Sequence, residues 1–316
     1  TARYGPGGGG DTTAALVFGG YTGTAQSNLT EEYNGSGWGS GGNLGTARSG
    51  NSGTGSQTAG LSVGGVSPPS VYVANVEEYN GTSWSEVTDI PQARGYSLQG
   101  GTQTATWNGG GRQGPPYSNP TSTLEYDGTN WTAGGALNTG RRNLAGAGTQ
   151  TAGVAFGGSA DPDATEKYNG TAWTAGNNMN TGRDTLVGFG LQTAAIAAGG
   201  SPYTTASESY NGTSWTATNS MNVGRQRAMG AGTTSNGLIG FGKTSGPTAV
   251  SSSEAWDGTS WFTTANGANA RSYLAGCGTA TSALAFGSWN QTPGARTEEF
   301  TGETTAVNAA KTIDFD

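Results

Sequence analysis

The sequence has no histidine, only one cysteine and only three lysines among its 316 residues. Without histidine, the commonest general base and the commonest metal ligand are both missing. The single cysteine, Cys277, excludes an intrachain disulfide and a cysteine-cluster metal site. Two of the other repeats carry alanine at its position, so we expect a buried small side chain rather than a reactive thiol. We therefore expect no metal ion and no cofactor.

Charged residues are also scarce, at 11% of the chain, and the net charge is -7. Nucleic-acid binding needs clustered Lys and Arg, so we expect no nucleic-acid partner. No apolar run approaches the length that crosses a membrane, so no membrane insertion is expected. The chain begins in the middle of a repeat unit and without a signal peptide, which predicts that it is a piece of a longer polypeptide.

What the chain does contain is a repeated phrase of the form Glu-x-Tyr-Asn-Gly-x-x-Trp. The aromatic residues at the tyrosine position recur with a period of 42 to 47 residues, at Tyr33, Tyr79, Tyr126, Tyr168, Tyr210, Trp256 and Phe300. A fixed period in this range is typical of a repeat architecture.

The Asn169-Gly170 pair in the fourth copy predicts a hairpin, because both central residues of a type I′ turn need a positive φ. A two-residue loop would place Tyr168 opposite Thr171 and Glu166 opposite Trp173. Side chains alternate across a strand, so the glutamate and both aromatics would share one face. Such a face must be buried by a neighbouring repeat.

Each repeat opens with an arginine, and glycines stand at fixed places after it. A strand of very small residues follows the arginine, a second strand ends in a glycine pair, and the tyrosine and tryptophan strands come next. We name these four strands A to D. Seven such units predict an all-β fold, a seven-bladed β-propeller with four antiparallel strands per blade. The predicted single domain spans 1–316, with approximate blades 1–45, 46–91, 92–138, 139–180, 181–222, 223–268 and 269–316.

The glycine pair after strand B, the Glu-x-Tyr-Asn-Gly-x-x-Trp phrase and the arginine before strand A together resemble kelch repeats. The resemblance covers all seven units and implies the propeller fold rather than one activity. In kelch repeats strand B usually carries longer aliphatic runs, which are thinned here to Ala and Gly. The composition, rich in Asn, Gly and Thr, also resembles kelch-like arrays in structural and tail-fibre proteins of marine bacteriophages.

The arginines allow two interpretations, a ring that binds an anionic ligand or a repeated structural ion pair. Arginine recurs in all seven repeats, at Arg3, Arg48, Arg94, Arg141, Arg183, Arg225 and Arg271. Glutamate recurs two residues before the aromatic in six of them, at Glu31, Glu77, Glu166, Glu208, Glu254 and Glu298. An unpaired buried carboxylate is costly, so this matched recurrence favours an Arg–Glu pair.

Because the strands alternate in direction, the A–B and C–D turns should lie on one rim and the B–C loops on the other. The first rim repeats nearly identical turns, whereas the B–C loops vary and contain prolines and aromatics. Variable loops on a rigid scaffold are the usual place for binding. The predicted binding residues are Tyr72, Arg112, Tyr117, Tyr203 and Trp289. Blades 2 and 3 have the longest loops, so we expect Tyr72 and Tyr117 to share a cleft.

These features favour a non-catalytic binding or structural module, located outside the cell or on a virion surface. The partners expected are a cell-surface glycan or a protein, together with other virion or appendage proteins. The alternative is a glycan hydrolase or lyase on a propeller scaffold. Asp257 begins a turn that resembles half of a sialidase Asp box, and Asp161 and Asp163 share one loop that could bind calcium. For that loop we favour simple solvation.

Overall fold

The computed structural model describes residues 1–245, 248–287, 289–290, 292–293 and 297–301. All regular secondary structure in these ranges is β-strand. Accordingly, they contain no helix with the length and hydropathy to cross a membrane. The strands form seven antiparallel blades around a common axis, which confirms the predicted β-propeller.

Blades 1 to 6 each contain four strands in the spatial order A-B-C-D. Strands A are Gly7–Gly10, Ser52–Ser56, Leu98–Gly101, Ala145–Thr149, Val187–Leu191 and Met229–Thr233. Strands B are Ala15–Phe18, Ala59–Val63, Thr106–Gly109, Ala152–Phe156, Ala194–Ala198 and Asn236–Gly240. Strands C are Thr30–Tyr33, Val76–Tyr79, Thr123–Tyr126, Thr165–Tyr168, Ser207–Tyr210 and Ser253–Trp256. Strands D are Trp38–Ser40, Trp84–Glu86, Trp131–Gly134, Trp173–Ala175, Trp215–Ala217 and Trp261–Thr264.

In blade 7 the described strands are Ala275–Gly278, Ser282–Phe286 and Thr297–Thr301, paired in that order. Its strand D was predicted within Thr304 to Asp316, which lies outside the described residues. Two short hairpins extend B–C loops, one formed by Val66–Ser67 with Val71–Tyr72, the other by Trp289–Asn290 with Thr292–Pro293.

Strand A begins four residues after each repeated arginine, as Arg141 and Ala145 illustrate. Its small residues let neighbouring blades approach closely at the axis. A methyl group on Gly146 would lie 2.5 Å from Leu98 Cδ2 of the preceding blade. Gly148, seven residues after the arginine, has a φ of +104°, a conformation that strongly favours glycine.

The turn between strands C and D differs from the prediction. Tyr168 pairs with Trp173 across the strands, so the loop contains four residues and the predicted two-residue type I′ turn is wrong. The Asn169 side chain accepts hydrogen bonds from the backbone N–H groups of Thr171 (2.9 Å) and Ala172 (2.8 Å). This Asx-type bonding needs a positive φ only at Gly170, where it is +89°. Two extra loop residues preserve the alternation, so glutamate, tyrosine and tryptophan still share a face.

The shared faces are buried between blades. The indole Nε1 of Trp173 donates to Thr123 Oγ1 of the preceding blade at 2.8 Å, and Trp215 donates to Thr165 in the same way. The hydroxyl of Tyr168 donates to Glu125, also on the preceding blade. Each blade is thus fixed to the one before it by packing and by hydrogen bonds.

The ring closes by direct packing of blade 7 against blade 1. Tyr33 OH donates to Glu299 Oε2 at 3.1 Å, and the Trp38 and Phe286 rings meet edge to face at 5.7 Å. The N-terminal residues belong to blade 1, where Tyr4 forms a bridge with Tyr21. Among the described residues, the sheet of blade 7 contains no strand from the N-terminal segment.

Candidate functional site

The seven repeated arginines are buried and form structural contacts. Six of them pair with the glutamate of the same blade at N–O distances of 2.7–3.0 Å. In blade 5, Arg183 also donates to the carbonyls of Ala206 and Ala197, while Glu208 accepts from the backbone N–H of Asn180 at 2.7 Å. The predicted Arg–Glu pair therefore forms, and these side chains are hidden from any ligand on the axis.

Blade 3 differs, since Leu124 stands where the other blades have glutamate. Arg94 instead donates to the carbonyl (2.9 Å) and the hydroxyl (2.7 Å) of Ser122. Burial without a carboxylate lowers the pKa of Arg94 to about 10. At the position of Asn180 this blade has Pro91, which has no N–H for a glutamate to accept. Because blade 3 lacks both the glutamate and the N–H group that would donate to it, no backbone donor is left without its acceptor.

The variable rim is formed as predicted, because B–C loops pair with the links that precede strand A. Backbone bridges join Ser49 to Val66 in blade 2 and Gly95 to Arg112 in blade 3. These bridges hold the first residues of each B–C loop against the scaffold. Side chains that follow them are therefore displayed from fixed positions.

A cavity of about 350 Å³ opens on this rim across blades 1, 2 and 3. We call it the tyrosine cleft, and its lining residues are Tyr4, Tyr21, Gln26, Ser49, Val66, Ser70, Tyr72, Tyr96, Arg112 and Tyr117. The rings of Tyr72 and Tyr117 meet edge to face with centroids 6.3 Å apart. The Arg112 guanidinium lies 4.4 Å from the centre of the Tyr117 ring. The structure thus brings Tyr72, Arg112 and Tyr117 together, as the loop lengths predicted.

Local structure explains why these side chains converge. Tyr72 ends the short hairpin of the blade 2 loop, where it is held by the bridge to Val66. Tyr117 lies in a loop closed by the hydrogen bond from Gln113 N to Ser118 O (3.0 Å). The side chain of Tyr117 is 62% exposed although its loop is closed at the base. Such a ring is available to a partner with little loss of conformational entropy on binding.

The electrostatics of the cleft are positive in a chain of net charge -7. None of its lining residues is acidic. Burial raises the pKa of Tyr72, and the nearby cations Arg112 and Arg142 counteract part of that rise. Within the described residues neither arginine forms an ion pair. The cleft therefore offers phenol groups and, in Arg112, a cation without a carboxylate partner.

A second cavity, of about 320 Å³, lies on the propeller axis at the same rim, and we call it the axial mouth. It is lined by the second residue after each repeated arginine, which has a φ between +52° and +61° in every blade. Backbone hydrogen bonds link these residues around the axis, as from Gly50 N to Gly5 O (3.0 Å) and from Arg227 N to Thr185 O (3.0 Å). The seven are Gly5, Gly50, Tyr96, Asn143, Thr185, Arg227 and Tyr273.

Sequence reasoning did not identify the axial mouth, although a signal existed. Within an otherwise regular repeat, the second residue after the arginine varies from glycine to tyrosine and arginine. Arg227 lies 4.3 Å from the centre of the Tyr273 ring. Burial lowers the pKa of Arg227, and Asp184 and Tyr203 offset part of that effect.

The remaining candidates lie elsewhere. Tyr203, on the blade 5 loop, does not line the cleft and lies near Arg227. Trp289 begins the two-residue strand of the blade 7 hairpin. Asp161 accepts a hydrogen bond from Thr139 (3.3 Å), and the described ranges contain no group of three metal-ligating side chains. Cys277 is half-buried, so the prediction of a buried side chain is met only in part. Desolvation nevertheless raises the pKa of its thiol to about 12.

Comparison with known proteins adds support at the level of the fold. No protein-family model matches the chain, and no curated protein matches it. Among solved structures it is similar to that of YjhT, with a TM-score of 0.60 and 11% sequence identity over 95% of this chain and 94% of that chain. At this level of identity the likeness shows a common fold alone.

Proposed function

We propose that this chain is a non-catalytic binding module that recognises a cell-surface glycan through the tyrosine cleft. Ligand sites combine aromatic surface with a few fixed polar groups. The cleft has five tyrosines, which offer flat apolar rings and hydroxyl groups, and Arg112, Gln26 and Ser49 add donors and acceptors. This mixture matches a sugar ring, which has apolar faces and a polar edge.

The observation that carries the proposal is the convergence of Tyr72, Arg112 and Tyr117 from two adjacent variable loops. Tyrosine and arginine are enriched among the residues that dominate binding energy at interfaces. Here Tyr117 contacts both Tyr72 and Arg112, at 6.3 Å and 4.4 Å between centres, and Tyr117 is exposed. These three residues take no part in the tryptophan–threonine hydrogen bonds that join neighbouring blades.

We further propose that the repeats are of the kelch type and that the module belongs to a virion appendage or a surface adhesin. The regular repeat phrase supports the first part. One rim is formed by the nearly uniform A–B turns and the Asn-Gly or Asp-Gly C–D turns, and we call it the Asn-Gly rim. This rim and the scarcity of charged residues support a location outside a cell, beside other appendage proteins.

A printed glycan array tests the proposal. The double variant Tyr72→Ala/Tyr117→Ala should lose glycan binding while keeping its melting curve, because both residues lie on the rim. Lys243→Gln is the control, since it changes a side chain of the same rim that lines neither cavity. It should bind like the unaltered protein.

Three outcomes would contradict the proposal. Binding that survives the double change but is lost when the Asn-Gly turns are altered would place the site on the other rim. Shortening of the bound glycans, read by mass spectrometry, would indicate the hydrolase or lyase alternative. Capture of a cell-surface protein after its glycans are removed, with no array binding, would indicate a protein partner.

A further inference from the structure

We infer that the tyrosine cleft and the axial mouth are two subsites of one groove, filled by a single oligosaccharide. Its acidic sugar would lie in the cleft and its neutral sugars over the axis. This inference rests on the proposed function and specifies the class of glycan. It depends on two observations, the junction between the cavities and the distribution of charge along them.

The junction is formed by Tyr96, which lines both cavities and is 49% exposed. Its ring lies over Gly50, where a methyl group would be 2.6 Å from Tyr96 Cε1. Tyr4 and Ser49 line the cleft, and the residues that directly follow them, Gly5 and Gly50, line the mouth. These glycines have no side chains, so the Tyr96 ring is the side chain that lies between the cavities, where it provides a stacking surface shared by both.

The charge differs between the two ends. Arg112 lines the cleft and Arg227 lines the mouth, and neither lining contains an acidic residue. Beside the mouth, however, Asp184 Oδ1 lies 3.3 Å from Oγ1 of the lining residue Thr185, and this carboxylate offsets part of the charge of Arg227. Guanidinium groups bind carboxylates and sulfates strongly, so the uncompensated end suits an acidic sugar.

The mouth itself suits neutral hydroxyl groups. Besides the partly balanced Arg227, its ring positions offer the amide of Asn143 and the hydroxyl of Thr185. Thr185 Oγ1 already donates to Gln226 Oε1 at 2.8 Å, which leaves its lone pairs to accept a hydroxyl. The Tyr273 ring under Arg227 adds an apolar surface.

The test uses homologous series of neutral, uronate-containing and sulfated oligosaccharides of increasing length, with affinities from titration calorimetry. The unaltered protein should prefer acidic series and bind longer members more tightly. Tyr96→Asn should bind long members up to about tenfold more weakly and leave short members unchanged, the size expected for one aromatic contact. Asparagine is chosen because Asn143 already has the same φ of +56° at the equivalent position.

Two further variants separate the ends. Arg112→Gln should remove the preference for acidic over neutral series. Arg227→Asn should reduce only the increase in affinity that comes with greater oligosaccharide length. Lys243→Gln is the matched control, because it removes a cation from the same rim that lines neither cavity.

If Tyr96→Asn still binds longer oligosaccharides more tightly than short ones, the single groove is wrong. If the unaltered protein prefers the neutral series, the placement of the acidic sugar is wrong. If no series binds at all, the proposed function itself fails. If binding depends on Tyr72 and Tyr117 but not on length, only the present inference fails.

Discussion

Replacing Arg183 with methionine tests the physical role of the repeated ion pairs. Arg183 and Glu208 are 0% and 2% exposed, with N and O atoms 3.0 Å apart. The variant would leave Glu208 buried with no cationic partner in its blade. Breaking a buried pair by removing one partner costs about 3–5 kcal/mol. With about 2.1 cal/mol/K of unfolding entropy per residue, a chain of this length should lose about 5–8 °C in melting temperature.

Blade 3 supplies the matched control. Arg94 is equally buried but has no carboxylate partner, because Leu124 and Pro91 replace the glutamate and the N–H that it would accept. Arg94→Met leaves only carbonyl and hydroxyl groups unpaired, at a cost of about 1–3 kcal/mol. The double variant Arg183→Met/Glu208→Leu should regain part of the loss of Arg183→Met, because it removes the orphaned charge. Calorimetric melting of the three variants would refute the reasoning if Arg94→Met and Arg183→Met were equally destabilising, or if the double variant were no more stable than Arg183→Met.

Three further predictions concern other buried groups. Trp131 Nε1 has no hydrogen-bond partner within the described residues, and Val76 occupies the place of the threonines that accept from Trp84, Trp173 and Trp215. Val76→Thr should therefore raise the free energy of unfolding by about 0.5–1.5 kcal/mol. An unchanged denaturation midpoint would argue against this contact. Burial and the hydrogen bond to Glu32 raise the pKa of Tyr79 to about 12. The contribution of Tyr79 to folding stability should therefore be complete below pH 10 and should disappear as the pH rises to about 12. In melting scans at increasing pH, Tyr79→Phe should lack this decrease in stability. The half-buried Cys277 thiol has a pKa raised to about 12, so at pH 8 it should react with alkylating reagents much more slowly in the native protein than after denaturant is added. Equal labelling rates in the two states would contradict the raised pKa.

The repeat-level features of the fold could be predicted because they depend on local and periodic signals. Strand alternation predicts glutamate, tyrosine and tryptophan on one face even though the predicted turn has only two residues. The four-residue turn changes the register by an even number, so the face is unchanged. The repeat sequence did not indicate that the Asn169 side chain would accept hydrogen bonds from Thr171 N–H and Ala172 N–H of its own loop. These bonds form a turn in which Asn169 does not need a positive φ.

The candidate site could be predicted only in part. Tyr72, Arg112 and Tyr117 belong to neighbouring long loops, and sequence adjacency of blades implies spatial adjacency. Tyr4, Tyr21 and Tyr96 join them only because the ring is closed and curved, so residues from three blades approach at the axial end of the rim. The left-handed conformation of Tyr96 is a property of the completed backbone ring and not of its local sequence.

The most direct test of the central claim is a crystal structure of the protein with the tightest-binding glycan from the array. Our account predicts sugar rings against Tyr72 and Tyr117, with the chain continuing past Tyr96 toward the axis. Sugar density on the Asn-Gly rim, or between blades away from these tyrosines, would contradict it.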